Sequence, residues 1–123
     1  MFYITELRQY CLSKAGCTES TPFDIETLVF KVGNKIFLIT NIEHFEEISL
    51  KCDPELAQGL RAQYPDTVRA GYHLNKKHWN TINLRGGMPL PEVLGWIDHS
   101  YSLVFGSLKK AEQHAILTAE NQA

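Results

Sequence analysis

The side chains best suited to bind a ligand are concentrated in one short stretch, residues 71–80. This stretch, GYHLNKKHWN, contains two histidines, two lysines, two asparagines and two aromatic rings. Lysine and asparagine side chains contact phosphate oxygens, and exposed aromatic rings stack on unpaired bases. The wider interval 67–91 has no acidic residue but holds four of the twelve basic ones, Arg69, Lys76, Lys77 and Arg85. This uneven charge predicts a surface for an anionic partner.

DNA is one candidate partner for this surface, bound mainly by phosphate contacts and without base-specific readout. Trp79 is not among the predicted contact residues, because a large residue in a predicted strand is expected to pack in the core. Two alternatives stay open for the same surface: a non-enzymatic module that binds a protein or a small anion, and a solvated loop without a partner. The predicted contact residues are Arg69, Tyr72, His73, Asn75, Lys76, Lys77, His78, Asn80 and Arg85.

A metal site is the second chemical hypothesis, because imidazole and thiolate ligands both suit zinc. His73 and His78 are the candidates, with Cys52 or His99 as a third ligand. The chain has no CxxC or HExxH pattern, and the two histidines are separated by a predicted turn. We therefore predict structural histidines and no metal or cofactor.

Two patterns could indicate an enzyme. Asp98, His99 and Ser100 are the residue types of a hydrolase triad, but neighbours on a helix point in different directions and cannot converge on one reacting atom. Cys52 precedes a predicted helix, whose dipole could lower the pKa of its thiol. Its alternation with Ile48 and Leu50 predicts instead that it faces inward. We therefore predict no catalytic residue and no enzyme, and rapid labelling of Cys52 would revive the enzymatic alternative.

Composition sets the class of protein. At 123 residues the chain is expected to form one domain, and 44% apolar with 21% charged residues is ordinary for a globular protein. No apolar run approaches the roughly 20 residues that span a bilayer. The odd number of cysteines fits reduced thiols, and Cys11 and Cys52 are predicted to be small core residues. We expect a cytoplasmic monomer without membrane contact, although a protein partner is possible.

The elements that would position these residues follow from local signals. A helix is predicted over residues 3–15, a loop over 17–24, and a hairpin of strands 28–32 and 35–40 joined by Gly33-Asn34. A half-buried strand over 48–52 follows. Asp53 and Pro54 then begin a helix that Pro65 ends, because Asp accepts first-turn amide hydrogens and Pro suits the first helical position.

Strands are next predicted over 68–72 and 79–84, with Asn75-Lys76-Lys77 as the turn between them. A last helix begins at Pro91 and restarts after Gly106-Ser107. The order α-β-β-β-α-β-β-α predicts an α+β fold, with an antiparallel sheet of about five strands and helices packed mainly on one face. The domain is expected to span residues 1–108, with a polar helical tail over 109–123.

Several stretches of this sequence are similar to the MmcQ/YjbR family of small bacterial proteins. They are LVFKVGNKIFLIT, SLKCDPELAQGLRAQYP, GYHLNKKHWNTINL and WIDHSYSLV, within a similarity that runs from about Phe2 to Leu108. The block from Lys51 to Asn80 is the most specific part. The resemblance implies a fold like that of the frataxin-like CyaY proteins, and a double-wing DNA-binding mode in which two hairpins flank a helix. Asp24 departs from the family pattern, in which glycine is common at this position. The departure bears only on the geometry of the predicted loop over residues 17–24.

Overall fold

The computed structural model describes residues 2–71 and 74–122, with side chains described up to Glu120. Over these residues the chain forms six strands and four helices. In chain order they are α1 Ile4–Leu12, β1 Cys17–Ser20, β2 Thr27–Val32, β3 Lys35–Asn41, β4 Glu47–Lys51, α2 Pro54–Gln63, β5 Val68–Ala70, β6 Trp79–Asn83, α3 Leu90–Gly106 and α4 Lys110–Gln122. No helix in this part of the chain combines the length and the apolarity that crossing a bilayer requires.

The strands form one antiparallel sheet in the order β1-β2-β3-β4-β6-β5. The predicted α+β fold is confirmed, with one strand more than expected. The extra strand is β1, in the segment 17–24 that was predicted to be a loop. Its polar sequence gives no strand signal, and it is held by antiparallel pairing with β2 from Cys17 opposite Val32 to Ser20 opposite Val29. Tertiary pairing here overrides local propensity.

The predicted hairpin between β2 and β3 is confirmed. Gly33 and Asn34 both take positive φ angles, 57° and 66°, as a two-residue turn between right-handed twisted strands requires. Helix α1, by contrast, ends three residues earlier than predicted, at Leu12. Its amphipathic pattern continues only to that residue, and Gly16 with φ 70° belongs to the turn that leads into β1.

Asp24, the residue that departs from the family pattern, stabilises the loop before β2. Its Oδ1 accepts hydrogen bonds from the backbone N–H groups of Glu26 at 2.9 Å and Thr27 at 2.7 Å. These bonds, the one to Thr27 first, lower the pKa of the Asp24 carboxyl. The loop is therefore closed by the aspartate side chain.

The core lies between one face of the sheet and the helices. The side chains of Phe30, Leu38, Leu50 and Ile82 point to that face and are fully or almost fully buried, together with Leu7 from α1, Leu60 from α2 and Ile97 from α3. Helix α4 adds the partly buried Ile116. Cys11 and Cys52 are buried as predicted, at 0% and 3% exposure.

The opposite face of the sheet, here called the open face, follows from the strand register. Directly paired residues lie on the same face, which places Val29, Ile39, Ser49, Thr81 and Arg69 in one row across it. The helical residues of the core cluster lie on the other side. Along this row the open face changes from apolar residues on β2 and β3 to polar residues on β4, β6 and β5.

Candidate nucleic-acid interface

Helix α2 begins as its sequence predicts. Asp53 Oδ2 accepts the backbone N–H groups of Glu55 at 3.2 Å and Leu56 at 3.3 Å, and Pro54 occupies the first turn. These contacts satisfy two of the donors that a helix N-terminus leaves free. Ala57 and Leu60 are the buried residues of the helix, and Arg61, next along the chain, is placed beside β6.

Arg61 joins α2 to the turn before β6. Its Nε donates a hydrogen bond to Asn80 Oδ1 at 2.7 Å, and its Nη2 donates to the carbonyl oxygen of Lys76 at 2.6 Å. Both acceptors are neutral. None of the ion pairs formed by the described residues includes Arg61, so the positive charge of this guanidinium is held in place without a carboxylate beside it.

The turn that follows projects two lysines into solvent. Asn75 closes it, because its Oδ1 accepts the N–H of Lys77 at 2.9 Å and its carbonyl oxygen accepts the N–H of Trp79 at 3.0 Å. The carbonyl oxygen of His78 accepts the N–H of Cys52 at 2.6 Å, which ties the turn to the end of β4. Lys76 and Lys77 are both exposed.

These elements enclose a depression of about 450 Å³, which we call the basic groove; its lining residues are Pro54, Gln58, Arg61, Lys76, Lys77 and His78. Three of them are permanent cations, and none is acidic. As with Arg61, no ion pair among the described side chains involves Lys76 or Lys77. The structure thus brings together an arginine from α2 and two lysines from the turn.

Asn80 has a different place from the predicted one. It is 1% exposed, its Oδ1 accepts from Arg61 and its Nδ2 donates to the carbonyl oxygen of Ala57 at 3.3 Å. Its amide is occupied within the fold, so it is unsuited to direct contact with a ligand. Asn80 positions Arg61 instead.

The other predicted arginines lie apart from the basic groove and are paired. Arg69 Nη2 contacts both carboxylate oxygens of Glu47 at 2.9 Å on the open face. Arg85 lies beyond the opposite end of β6 from the lysines, 3.7 Å from Glu46. The four bases of the acid-free interval therefore do not form one surface, because Arg69 lies on the open face beside Glu47 of β4, and Arg85 lies at the far end of β6 beside Glu46.

Of the remaining predicted residues, Tyr72 and His73 lie outside the described residues. His78 is half-buried and lines the basic groove. The prediction that Trp79 packs in the core is wrong. Its register partner is Lys51, and Ser49 pairs with Thr81 two residues further on, so the Trp79 side chain belongs to the open face, where it is half-buried.

Asp98, His99 and Ser100 point in different directions, as predicted, and no two of them share a partner. Asp98 Oδ1 accepts a hydrogen bond from Tyr10 at 2.7 Å and contacts the Lys14 ammonium, whereas His99 Nε2 accepts the N–H of Asp53 at 3.2 Å. Ser100 is buried and donates to the carbonyl oxygen of Phe37 at 2.5 Å. Each side chain supports a separate packing contact, and the three do not form a triad.

The cysteine thiols are not activated. Burial raises the pKa of Cys52 to about 11, with Asp53 adding to the increase. Burial likewise raises the pKa of Cys11 and that of Cys17 to about 12. A thiol with such a pKa carries little thiolate at neutral pH. Within residues 2–71 and 74–120, no three His, Cys, Asp or Glu side chains are grouped to hold a metal ion; His73 lies outside this range.

The fold and site define a class of small α+β protein, with an open antiparallel sheet and a basic groove at one end. The family model described as YjbR matches residues 12–103. The chain belongs to the YjbR family, in agreement with the resemblance of its sequence motifs.

Among its relatives, the chain is 36% identical over 115 residues to the uncharacterized protein YjbR of Escherichia coli K12, covering 93% of this chain and 97% of that protein. It is 37% identical over 98 residues to the uncharacterized protein YbdF of Escherichia coli O157:H7, covering 77% and 78% of the two chains. A crystal structure of a Deinococcus radiodurans protein with a DUF419 domain has a TM-score of 0.89 and 38% identity, covering 94% of this chain and 88% of that one.

Proposed function

We propose that this protein binds DNA through phosphate contacts in the basic groove, without reading the base sequence. The observation that carries the proposal is the cluster of Arg61, Lys76 and Lys77, in which the guanidinium is fixed by two neutral oxygen atoms. A cation held in this way is preorganised, so less side-chain entropy is lost when an anion binds.

The charge balance of the molecule supports a local site and not a broad binding surface. The net charge is −2, so attraction must come from the groove. Arg69 and Arg85 already have carboxylates beside them, and a phosphate would have to compete with those contacts. We therefore assign the phosphate contacts to Arg61, Lys76 and Lys77.

The positions of the hairpins are compatible with a winged arrangement. The β2–β3 turn at Gly33-Asn34 and the turn before β6 lie at the same end of the sheet, because β3 is antiparallel to β4 and β4 is antiparallel to β6. Helix α2 begins at this end, directly after β4. In our proposal the β5–β6 hairpin is the wing that carries the phosphate-binding lysines.

A second candidate function is favoured by the shape of the groove. A depression of about 450 Å³ is in the size range of small-ligand sites. The same cations would then hold one small phosphorylated anion. The two functions differ in the size of the partner, and binding of inorganic phosphate measured beside binding of DNA separates them.

The test is fluorescence anisotropy of a labelled 20-base-pair duplex over a salt series. Three phosphate contacts give a slope of log affinity against log salt of about −2.7, or a loss of about 40-fold between 50 and 200 mM salt. Lys76→Ala/Lys77→Ala should reduce the slope to about −0.9. The matched control is Lys109→Ala/Lys110→Ala, an exposed lysine pair before and at the start of α4.

The control pair removes the same charge near the β2–β3 turn, since the preceding Leu108 packs against Gly33, and β4 lies between β3 and β6 in the sheet. It should leave the slope near −2.7. Equal losses from the two lysine pairs would show that only net charge matters and would reject the groove. Binding of inorganic phosphate without binding of DNA at low salt would favour the second candidate.

A further inference from the structure

Trp79 occupies an unusual position for a large aromatic residue. It lies on the open face, away from the helices, directly after the turn that carries Lys76 and Lys77. Its backbone is fixed from both sides, because its N–H donates to the carbonyl oxygen of Asn75 at 3.0 Å and its carbonyl oxygen accepts the N–H of Gly71 at 2.9 Å. The ring therefore starts from a rigid point directly after the lysine turn, on the opposite face of the sheet from α2.

The neighbours of Trp79 across the sheet differ on its two sides. Lys51 lies opposite it on β4 and adds a cation on the same face. On the other side Gly71 follows β5 and donates its N–H to the carbonyl oxygen of Trp79, and the Leu74 side chain covers it, 3.2 Å from where a Cβ atom of residue 71 would lie. A Cβ atom at Gly71 would lie 3.0 Å from that of Trp79, so a larger residue would crowd this side.

We propose that this protein prefers single-stranded DNA to duplex, with one base stacked on Trp79 while neighbouring phosphates contact Lys76 and Lys77. The inference rests on the proposed function of the basic groove and adds the strand type. In a duplex both faces of each base are covered by its neighbours, whereas single strands offer base faces to aromatic side chains. The two lysines of the turn and one ring directly after it match the combined charge and stacking mode of single-strand binding better than a long duplex contact.

The experiment compares two labelled 12-mers, oligo(dT) and an abasic strand with the same number of phosphates. The wild type should bind oligo(dT) about 5- to 150-fold more tightly than the abasic strand. Trp79→Leu should remove this preference and leave the affinity for the abasic strand unchanged. Trp79→Phe keeps an aromatic ring and should retain most of the preference, which makes the test informative even if the leucine variant folds poorly.

A spectroscopic measurement gives an independent readout. The chain has two tryptophans, so Trp96→Phe leaves Trp79 as the sole tryptophan fluorophore. Oligo(dT) should quench its emission on binding, and the abasic strand should not. Equal affinity for the two strands, with salt dependence intact, would overturn base stacking but leave phosphate binding standing. Failure of both strands to bind while the duplex still binds would overturn this inference alone, and failure of the duplex as well would also overturn the proposed function.

Discussion

The contact between Arg61 and Asn80 allows a quantitative test of how the basic groove is built. Arg61→Ala removes the donor to Asn80 Oδ1, an acceptor on a residue that is 1% exposed. A buried acceptor left without a partner costs about 1–3 kcal/mol. The second hydrogen bond, to the carbonyl oxygen of Lys76, is exposed, so water replaces it at little cost. We expect the substitution to lower the free energy of unfolding by about 2 kcal/mol.

The assay is urea unfolding followed by far-ultraviolet circular dichroism. A loss of about 2 kcal/mol lowers the urea midpoint by about 1–2 M for a protein of this size. The matched control is Arg69→Ala, because Arg69 is an exposed arginine paired with an exposed carboxylate. That change should cost less than about 1 kcal/mol.

A double-mutant cycle isolates the pair. Asn80→Ala removes the acceptor, so Arg61→Ala should cost much less in that background, with a coupling energy of about 1–2 kcal/mol. Additive effects would refute the argument, since they would mean that Arg61 does not satisfy Asn80. So would an Arg61→Ala variant that is no less stable than Arg69→Ala.

Three further predictions follow from buried groups. Ser100→Ala should lower the free energy of unfolding by about 1–3 kcal/mol in the same assay, because the Ser100 Oγ donates to the carbonyl oxygen of Phe37 and accepts the N–H of Lys51. The control is Ser102→Ala on the exposed side of α3. An equal loss of stability in the two variants would contradict the argument. The free energy of unfolding should fall between about pH 9 and 12, because burial raises the pKa of the Cys11 thiol to about 12 and the unfolded chain therefore releases this proton first. Cys11→Ala should make that decline less steep. An unchanged pH profile in this variant would contradict the argument. Cys52 should react slowly with a thiol reagent at pH 8 in the folded state and rapidly in urea, since burial raises its pKa to about 11; rapid labelling of the folded protein would revive an enzymatic role.

Features encoded by a few neighbouring residues were predictable from the sequence. The Gly33-Asn34 turn needs positive φ at both positions, which glycine and asparagine tolerate. The start of α2 needs the Asp53 carboxylate and a proline. In both cases the determinant and the structure it produces lie within four residues.

Features that depend on tertiary approach were not predictable. β1 is a polar segment that becomes a strand only by pairing with β2. Arg61 enters the candidate site because α2 packs beside β6, and nothing in the sequence around Arg61 predicts that packing. It lies one helical turn after Ala57, and both residues contact Asn80. Glu47 reaches Arg69 across the intervening strand β6 and pairs with it. Counting only the residues of the interval 67–91 therefore gives too large a positive charge for the surface.

The face of β6 on which the Trp79 side chain lies was also not predictable from the sequence. Both faces of β6 contain buried residues, including Thr81 on the open face and Ile82 on the core face. Alternation of apolar and polar residues therefore does not show which face is covered by helices. The register with β4 settles the question in the structure, and it reversed the prediction for this residue.

The measurement that tests the central claim most directly is an amide chemical-shift titration of the isotope-labelled protein with a short DNA strand. The proposal predicts that the largest shifts fall at the start and middle of α2, residues 54–61, and in the turn at residues 75–79, together with the Nε–H resonance of Arg61. Residues around Lys109 and Lys110 should be unaffected. Shifts confined to another surface, or none at low salt, would contradict the assignment of DNA binding to the basic groove.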